Sequence, residues 1–446
     1  MASVSFVSFA APDAPIAYRH LHELHARAAA SGNRKLRQSR YLPAFFPRAE
    51  TGRDLTFPIT PDRGVPLASW APAEGAGTGA RPGWRSGASA AAAALSFALF
   101  RDDAALLAAW QQLEVAATMP MQGYGFSAAL ADTFLADADI QVFSVGQGPE
   151  LAGLIPLCRA PGRFARWTML GANETGEPGD ALCLDPETLG ALARAVVRDG
   201  RALELHRIPA GSPFIPALQA ALKGRGWVQV RPAGPMPTIA LDPSWRDPAS
   251  HFNAGRRSDF RRAARRAGEL GAVTFEMLSP GLAEFDALFD EAVAVEVRSW
   301  KREAGTAIAV NRAKEECFRR FFCWGAAQGA FRIAFMRIDG TAVAMQMALE
   351  WGERYWLFKI GFDEAFSRCS PGSLLMLHSL GWAAARGLVA YELLGNVEPW
   401  IATFWTQDRH DCVRLRAYPY NVRGAAVFAG DAFGWLRTRL ARGGKS

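Results

Sequence analysis

Hydrophobic and polar positions divide the chain into a patternless beginning and a long patterned remainder. Residues 1–94 mix short helical patterns with a Pro-, Gly- and Ala-rich run that has no periodicity, so we expect a largely disordered leader. From about residue 95, apolar residues recur at helical spacing in DDAALLAAWQQLEVAA and form a strand-like run in IQVFSVGQ. Helices and strands alternate from there onward, which predicts an α/β fold.

The patterned remainder contains two segments with the same order of parts. Residues 95–245 and residues 246–446 each contain helices, an antiparallel hairpin, a crossover helix and a further strand. The second hairpin turns at Asp339-Gly340. We therefore predict a leader over 1–94 and two duplicated α/β domains, each with a mixed central sheet flanked by helices.

One strand of the second domain carries a lysine among apolar residues. In RYWLFKIGF, period-two alternation places Tyr355, Leu357, Lys359 and Gly361 on one face. An unpaired buried ammonium is costly, so Lys359 needs a partner or an anionic ligand, unless it lies at a strand end and reaches water.

The chain then passes through a polar loop into Ser370-Pro371-Gly372-Ser373 and a long apolar helix. The first amides of a helix lack internal partners and lie at the positive end of its dipole, so this entrance is a candidate anion site, with Arg368 adding charge. An ordinary capped helix start is the alternative.

Two further strands contribute polar candidates. The strand LVAYELLG places Glu392 in an apolar run, and TAVAMQMALEWG sets Gln346 among small residues on one face. Small residues around a single amide indicate a pocket wall, although a core glutamine satisfied by backbone groups explains the pattern equally well.

An arginine-rich helix, GRRSDFRRAARRAG, precedes these strands. Helical spacing aligns Arg257, Arg261 and Arg265 in one stripe. The stripe is either a solvated face or a surface for phosphates, RNA or acidic lipid.

Composition limits the classes of ligand and the cellular compartment that we expect for this protein. A formal net charge of +7 favours anionic ligands without requiring them, and only six of the fifty basic residues are lysines. The six cysteines form no CxxC pair or metal-ligand spacing, which is typical of a reducing compartment. We predict a cytoplasmic protein with no metal and no transmembrane segment.

Several short motifs do not support a function. HLHELH is one residue short of a zincin helix, GAGTGA and the terminal GGKS lack the strand and helix of a nucleotide loop, and GxSxG does not occur. The stretch QGYGFS, Gln122 to Ser127, comes within one residue of a coenzyme A pyrophosphate loop. It lies between two helices, so we predict a helix cap and turn.

The chain over about 250–410 resembles the CelD-like family of acetyltransferases, which is associated with cellulose biosynthesis and belongs to the GNAT superfamily. The resemblance rests on Lys359, Gly361, Phe362, Asp363, Glu364 and Phe366, on the Ser-Pro-Gly helix entrance, and on Trp300-Lys301. Residues 95–245 are similar more weakly. Ile401 stands where relatives have a lysine after an aromatic residue.

The resemblance implies two GNAT-like domains and an acyl-CoA-dependent N-acyltransferase acting on an amine or amino sugar, in exopolysaccharide or envelope production. It implies that acetyl-CoA or another acyl-CoA lies where two strands diverge, with its pyrophosphate at the next helix. The candidate donor-binding residues are Gly361, Arg368, Ser370, Gly372 and Ser373. The candidate catalytic residues are Glu392, as a base, and Lys359. The candidate acceptor-binding residues are Trp300, Lys301, Gln346, Tyr355, Asp363 and Asn396.

Two alternatives stay open at this point. A Fem-like transferase would use aminoacyl-tRNA and hold the RNA on the arginine helix. A non-catalytic module would use the same cleft to bind a nucleotide or a polysaccharide.

Overall fold

The computed structural model describes residues 92–146, 150–299, 308–395 and 399–443. Trp300, Lys301 and Asn396 lie outside the described residues, as do the HLHELH and GAGTGA motifs. The predicted leader lies outside them as well, apart from its last three residues, which begin the first strand.

The described chain from Ala92 to Ala240 contains both strands and helices. Its strands are β1 (Ala92–Ser96), β2 (Asp139–Val145), β3 (Gly153–Arg159), β4 (Trp167–Met169), β5 (Leu182–Cys183), β6 (Leu203–Pro209) and β7 (Gly226–Ala240). Its helices are α1 (Phe97–Asp102), α2 (Ala104–Leu113), α3 (Tyr124–Thr133), α4 (Pro186–Arg198) and α5 (Phe214–Leu222).

The rest of the described chain continues in the same manner. Its helices are α6 (Ala254–Gly268), α7 (Leu282–Val297), α8 (Arg312–Ala327), α9 (Pro371–Ala385), α10 (Pro399–Phe404) and α11 (Val422–Gly443). Its strands are β8 (Val273–Leu278), β9 (Phe331–Ile338), β10 (Thr341–Trp351), β11 (Arg354–Phe362), β12 (Ala390–Glu392) and β13 (Arg409–Pro419).

Two compact units are present. Among the described residues, the N-terminal unit takes in the chain from Ala92 to Met236, the segment Glu316–Trp324 and the chain from His410. The central unit takes in Pro237–Glu315 and Gly325–Arg409. We predicted a single boundary near residue 245 and gave the chain from 246 to the end to one domain. The structure instead groups most of β13, and all of α11, with the N-terminal unit.

The two units share one topology. In the N-terminal unit β1 to β4 pair antiparallel in sequence order, α4 follows, and β6 returns parallel to β4. In the central unit β8 to β11 pair antiparallel, α9 follows, and β12 returns parallel to β11. This repeated arrangement of mixed sheets flanked by helices confirms the predicted duplicated α/β fold.

The strand beside each parallel strand comes from a distant part of the chain. In the N-terminal unit β13 pairs antiparallel with β6, and in the central unit the end of β7 pairs antiparallel with β12. Both pairings join segments far apart in sequence, so local patterns gave no indication of them.

The local signals that define the hairpins and helix starts are borne out. Asp339 and Gly340 connect β9 to β10 with positive φ angles of 47° and 77°, the conformation of a two-residue hairpin turn. Ser370 immediately precedes α9, and Pro371 is its first residue. Beneath α9 lies a core that contains Tyr355, Leu357, Met376, Leu380 and Tyr391.

Candidate functional site

The parallel strands of the central unit separate after three residue pairs. Arg354, Tyr355 and Trp356 of β11 lie opposite Ala390, Tyr391 and Glu392 of β12. Beyond this point β11 continues to Phe362 beside β10, whereas Leu393 donates its backbone N–H to the Pro237 carbonyl. Within the described residues, the second half of β11 is therefore not paired with β12.

A β-bulge lies where the strands separate. Met347 of β10 is opposite Lys359 and Ala348 is opposite Leu357, so Phe358 is an extra residue on β11. A bulge of this kind shifts all following side chains by one position and bends its strand. The bulge therefore changes the face of the sheet on which Lys359 and Gly361 lie, at the point where β11 separates from β12.

Because of the bulge, the residues of β11 lie on other faces than the alternating pattern predicted. Tyr355 and Leu357 share a face with Gln346, whereas Lys359 and Gly361 lie on the opposite face with Trp356. Regular alternation would have placed Tyr355, Leu357, Lys359 and Gly361 together. That prediction was wrong because an irregular strand does not keep a period of two.

The face that carries Lys359 and Gly361 lies against α7. A Cβ atom at Gly361 would be 3.1 Å from Glu296 Cα and 3.2 Å from Glu296 Cβ, so glycine permits this close packing. The side chain of Glu296 is buried, and its Oε2 accepts a hydrogen bond from the Ile308 N–H at 2.7 Å. We did not predict Glu296 as a site residue, although a lone carboxylate between two valines was a visible signal.

Glu392 shares this face, because it is opposite Trp356. It is 1% exposed, and its Oε1 accepts a hydrogen bond from Arg354 Nη1 at 2.6 Å. The sequence placed Glu392 in an apolar strand but did not provide a partner for it. The structure provides Arg354, which neutralises the buried carboxylate.

The opposite face of β10 and β11 belongs to a packed core. Gln346 is 2% exposed, with Tyr391 Oη 3.2 Å from its Oε1 and Ser379 Oγ 2.8 Å from the same tyrosine oxygen. The ring of Tyr355 stacks on that of Tyr391 at 4.7 Å. Burial raises the pKa of both tyrosines. Of the two readings for Gln346, this geometry favours a core glutamine, held here by side chains.

The entrance to α9 lies beside the end of β11. Ser370 has a left-handed backbone, with φ 48° and ψ 53°, and its side chain does not cap the helix. Its carbonyl accepts hydrogen bonds from the N–H groups of Ser373 at 3.0 Å and Leu374 at 3.2 Å. A Cβ at Gly372 would be 3.3 Å from the ring of Phe362. The first turn of α9 and the unpaired half of β11 are thus adjacent.

Two arginines, Arg266 and Arg368, lie at the loop that leads into α9. Arg368 is exposed on the short 3₁₀ helix Glu364–Cys369, and its carbonyl accepts a hydrogen bond from Arg266 Nη1 at 3.2 Å. Nothing in the local sequence indicated that Arg266 would reach this loop. Asp363 anchors the start of the loop, because its carboxylate accepts hydrogen bonds from the Ala365 N–H at 3.0 Å and from Arg298 Nε at 2.6 Å.

The arginine helix α6 borders an open cleft of about 420 Å³. The cleft is lined by Asp247, Ala249, Ser250, Arg257, Phe260 and Arg261. Arg257 donates a hydrogen bond to the Phe252 carbonyl at 2.7 Å, which fixes its direction. Arg265 lies apart from this lining and pairs with Glu269 at 3.6 Å. Two of the three predicted arginines therefore share a cleft.

The N-terminal unit has no comparable opening at the QGYGFS stretch. Gln122 and Ser127 line a cavity of about 10 Å³, which has room for roughly one water. Gly123 precedes α3, as expected for a helix cap, and Gln122 Nε2 donates to the Ala181 carbonyl at 2.7 Å. Asp180 also lines this cavity, and burial raises its pKa to about 7.

Comparison with protein families concerns the same part of the chain. Residues 254–400 match the acetyltransferase (GNAT) domain. This range begins with α6 and includes the separated strands, the entrance of α9 and Glu392. No curated protein matches the chain in sequence.

Solved structures resemble the chain over much of its length but weakly. FemX has a TM-score of 0.43 and 10% identity, covering 66% of this chain and 91% of FemX. A tandem GNAT protein from the clavulanic acid biosynthesis pathway has a TM-score of 0.39 and 13% identity, covering 74% of this chain and 99% of that protein. Similarity of this size does not identify a substrate.

The described residues provide neither a metal-binding cluster nor a membrane-spanning helix. Within them, no cluster of His, Cys, Asp and Glu side chains is arranged to hold a metal ion. No helix among them is both long enough and apolar enough to cross a membrane.

Proposed function

We propose that the central unit is an acyl-CoA-dependent N-acyltransferase that transfers an acetyl or other acyl group to an amine or amino-sugar acceptor. The observation that carries this proposal is the separation of β11 from β12 beside the first turn of α9. In a GNAT domain, that is where the acyl donor lies. The match of residues 254–400 to such a domain supports the same location.

The donor would contact backbone more than side chains. The second half of β11 offers main-chain groups along the opening, and the amide of Gly372 lies at the positive end of α9, beside the Ser373 amide that donates to the Ser370 carbonyl. Arg368 and Arg266 add charge for a pyrophosphate. This division matches the two ends of an acyl-CoA, an amide-containing arm with the thioester and an anionic nucleotide.

The chemistry requires a neutral amine and a stabilised oxyanion. The amine nitrogen attacks the thioester carbonyl, the C–S bond breaks, and the proton lost by the amine returns to the departing thiolate. Glu392 is the proposed base, acting through water from the face that it shares with Lys359. Backbone N–H groups of β11 near Gly361 would stabilise the oxyanion. Lys359 adds a positive charge on the same face.

The donor site is tested by thermal-shift titration with acetyl-CoA and free CoA. We expect both ligands to raise the melting temperature. Gly372→Glu should abolish the shift, because it places bulk and negative charge at the α9 entrance. The matched control is Gly281→Glu at the start of α7, where a side chain meets open space. No shift with any acyl-CoA, or equal loss in both variants, would refute the donor site.

The base is tested by Glu392→Gln with measurement of kcat across pH. We expect a loss of about 10²-fold or more, and a profile that lacks the acidic limb, the fall in rate at low pH that protonation of the base produces. Glu284→Gln, which alters an exposed carboxylate of the same unit outside the α9 loop, should leave the profile unchanged. An unaltered rate and profile in Glu392→Gln would rule out this residue. Acetyl-CoA binding without turnover of any amine would favour a non-catalytic module.

The finer assignments are also proposals. The sequence resemblance to the CelD-like family leads us to propose an acceptor from exopolysaccharide or envelope production. A panel of amino sugars, polyamines and amino acids, followed by CoA release, tests this directly. Trp300, Lys301 and Asn396 are proposed acceptor contacts on the resemblance alone.

A second candidate donor is an aminoacyl-tRNA, favoured by the cleft between Arg257 and Arg261. RNA binding there would weaken steeply with salt, and Arg257→Glu with Arg261→Glu should reduce the salt slope by about 1 per lost phosphate contact. Arg262→Glu is the matched control on the same helix, since Arg262 pairs with Asp259 outside the cleft lining. RNA binding that is insensitive to both changes would exclude this donor site.

A further inference from the structure

The last helix of the N-terminal unit, α11, is attached to the protein by one side of its first half. Val427 is buried with Ala202 and Tyr418. Asp431 accepts a hydrogen bond from Tyr418 Oη at 2.6 Å and pairs with Arg166. These contacts define the inner side of the helix.

The outer side of α11 is a continuous apolar stripe. Its members recur at intervals of four and three residues, the spacing of a single helix face: Val422, Ala426, Ala429, Phe433, Leu436 and Leu440. Phe433 and Leu440 lie about 180–200° around the helix from Asp431. They are 66% and 68% exposed, and Val422 is 73% exposed. Every residue from 432 to 440 is exposed in the described structure.

The charges of α11 are almost all positive. Arg423, Arg437 and Arg439 flank the stripe, and Arg442 follows in the sequence. Asp431 is the single acidic residue of the helix and is already paired on the inner side. The guanidinium of Arg439 lies 5.1 Å from the ring of Trp435, which is itself 55% exposed. An exposed apolar stripe edged by arginines complements a surface that has an apolar interior and an anionic outer layer.

We propose that α11 is an interfacial helix that binds an anionic lipid membrane, with its stripe in the acyl boundary and its arginines at the lipid phosphates. Helices of this composition lie in the plane of the interface. A second copy of the chain fits less well, because pairing two stripes would bring arginines from both helices together without acidic partners. The proposal is independent of acyl transfer, so it stands or falls separately.

Vesicle co-sedimentation of the full chain tests the proposal. We expect binding to vesicles of phosphatidylcholine with phosphatidylglycerol, weaker binding to phosphatidylcholine alone, and loss of binding as salt rises. The variant Phe433→Ser/Leu436→Ser/Leu440→Ser should weaken binding by about tenfold or more. The matched control, Val115→Ser/Leu270→Ser/Leu282→Ser, removes equally exposed apolar side chains elsewhere and should bind normally.

A second variant separates charge from apolar burial. Arg437→Gln/Arg439→Gln should weaken binding to anionic vesicles by about tenfold or more, and should leave the weak binding to neutral vesicles unchanged. Hydrogen exchange on the unaltered chain is a readout that needs no variant. The backbone amides of 422–440 should gain protection when anionic vesicles are added.

Three results would overturn the proposal. The first is no association with anionic vesicles, or no added protection in 422–440. The second is vesicle binding that the serine variant leaves intact. The third is self-association that depends on protein concentration, lost in the serine variant and unaccompanied by vesicle binding, which would identify a second copy as the occupant.

Discussion

Replacement of Gly361 by alanine tests whether β11 lies against α7 as described. The new Cβ would be within 3.1–3.3 Å of the Cα, Cβ and Cγ atoms of Glu296. One of these atoms is backbone, so the helix or the strand must move by a few tenths of an ångström. Overpacking of this kind costs about 1–3 kcal/mol. We expect Gly361→Ala to lower the stability of the central unit by that amount.

Two other glycines calibrate this measurement. At Gly372 the nearest atom to a new Cβ is on the ring of Phe362, 3.3 Å away. This ring can move aside because it belongs to a side chain and not to the backbone. At Gly281 there is open space. Urea unfolding should therefore rank Gly361→Ala as the most destabilised of the three alanine variants. Equal stability of Gly361→Ala and the unaltered protein would refute the packing of β11 on α7, and with it the assignment of faces.

Three further predictions follow from single contacts. Arg354→Gln should cost about 3–5 kcal/mol in urea unfolding, because it removes the guanidinium that pairs with the buried Glu392 carboxylate; a loss below about 1 kcal/mol would contradict the ion pair. Ser370→Gly should stabilise the protein by about 1 kcal/mol by relieving a left-handed serine, and should leave acetyl-CoA binding intact if amides bind the donor; weaker binding would implicate the hydroxyl. Burial raises the pKa values of Glu114 and Asp180 to about 7, so the folded protein retains protons that the unfolded chain releases near pH 4. As the pH rises from about 4 to about 7, the stability of the unaltered protein should therefore fall more steeply than that of Glu114→Gln/Asp180→Asn. Identical dependence of stability on pH in the two proteins would contradict this.

The sequence was informative wherever a local signal decides the structure. Asp339-Gly340 predicted a tight hairpin because both residues tolerate positive φ, and Ser-Pro-Gly predicted the start of α9 because proline suits the first helical turn. The existence of β11 was equally clear, since its aromatic and branched residues favour a strand.

The arrangement within β11 was beyond local reasoning. Apart from Arg354 and Lys359 its residues are apolar on both sides, so period-two alternation had too few polar positions to fix the register, and the bulge at Phe358 left no mark in the sequence. The contact of Gly361 with Glu296, the pairing of Glu392 with Arg354, and the placement of β13 beside β6 all join distant segments. They depend on topology, which neither composition nor spacing encodes.

The most direct test of the proposed donor site is hydrogen exchange with and without acetyl-CoA. If the donor lies between the separated strands with its pyrophosphate at α9, backbone amides in 357–362 and in 372–374 should gain protection together. Free CoA should protect the α9 amides at least as strongly as it protects those of β11. Protection confined to other regions, or none at saturating acetyl-CoA, would contradict the account.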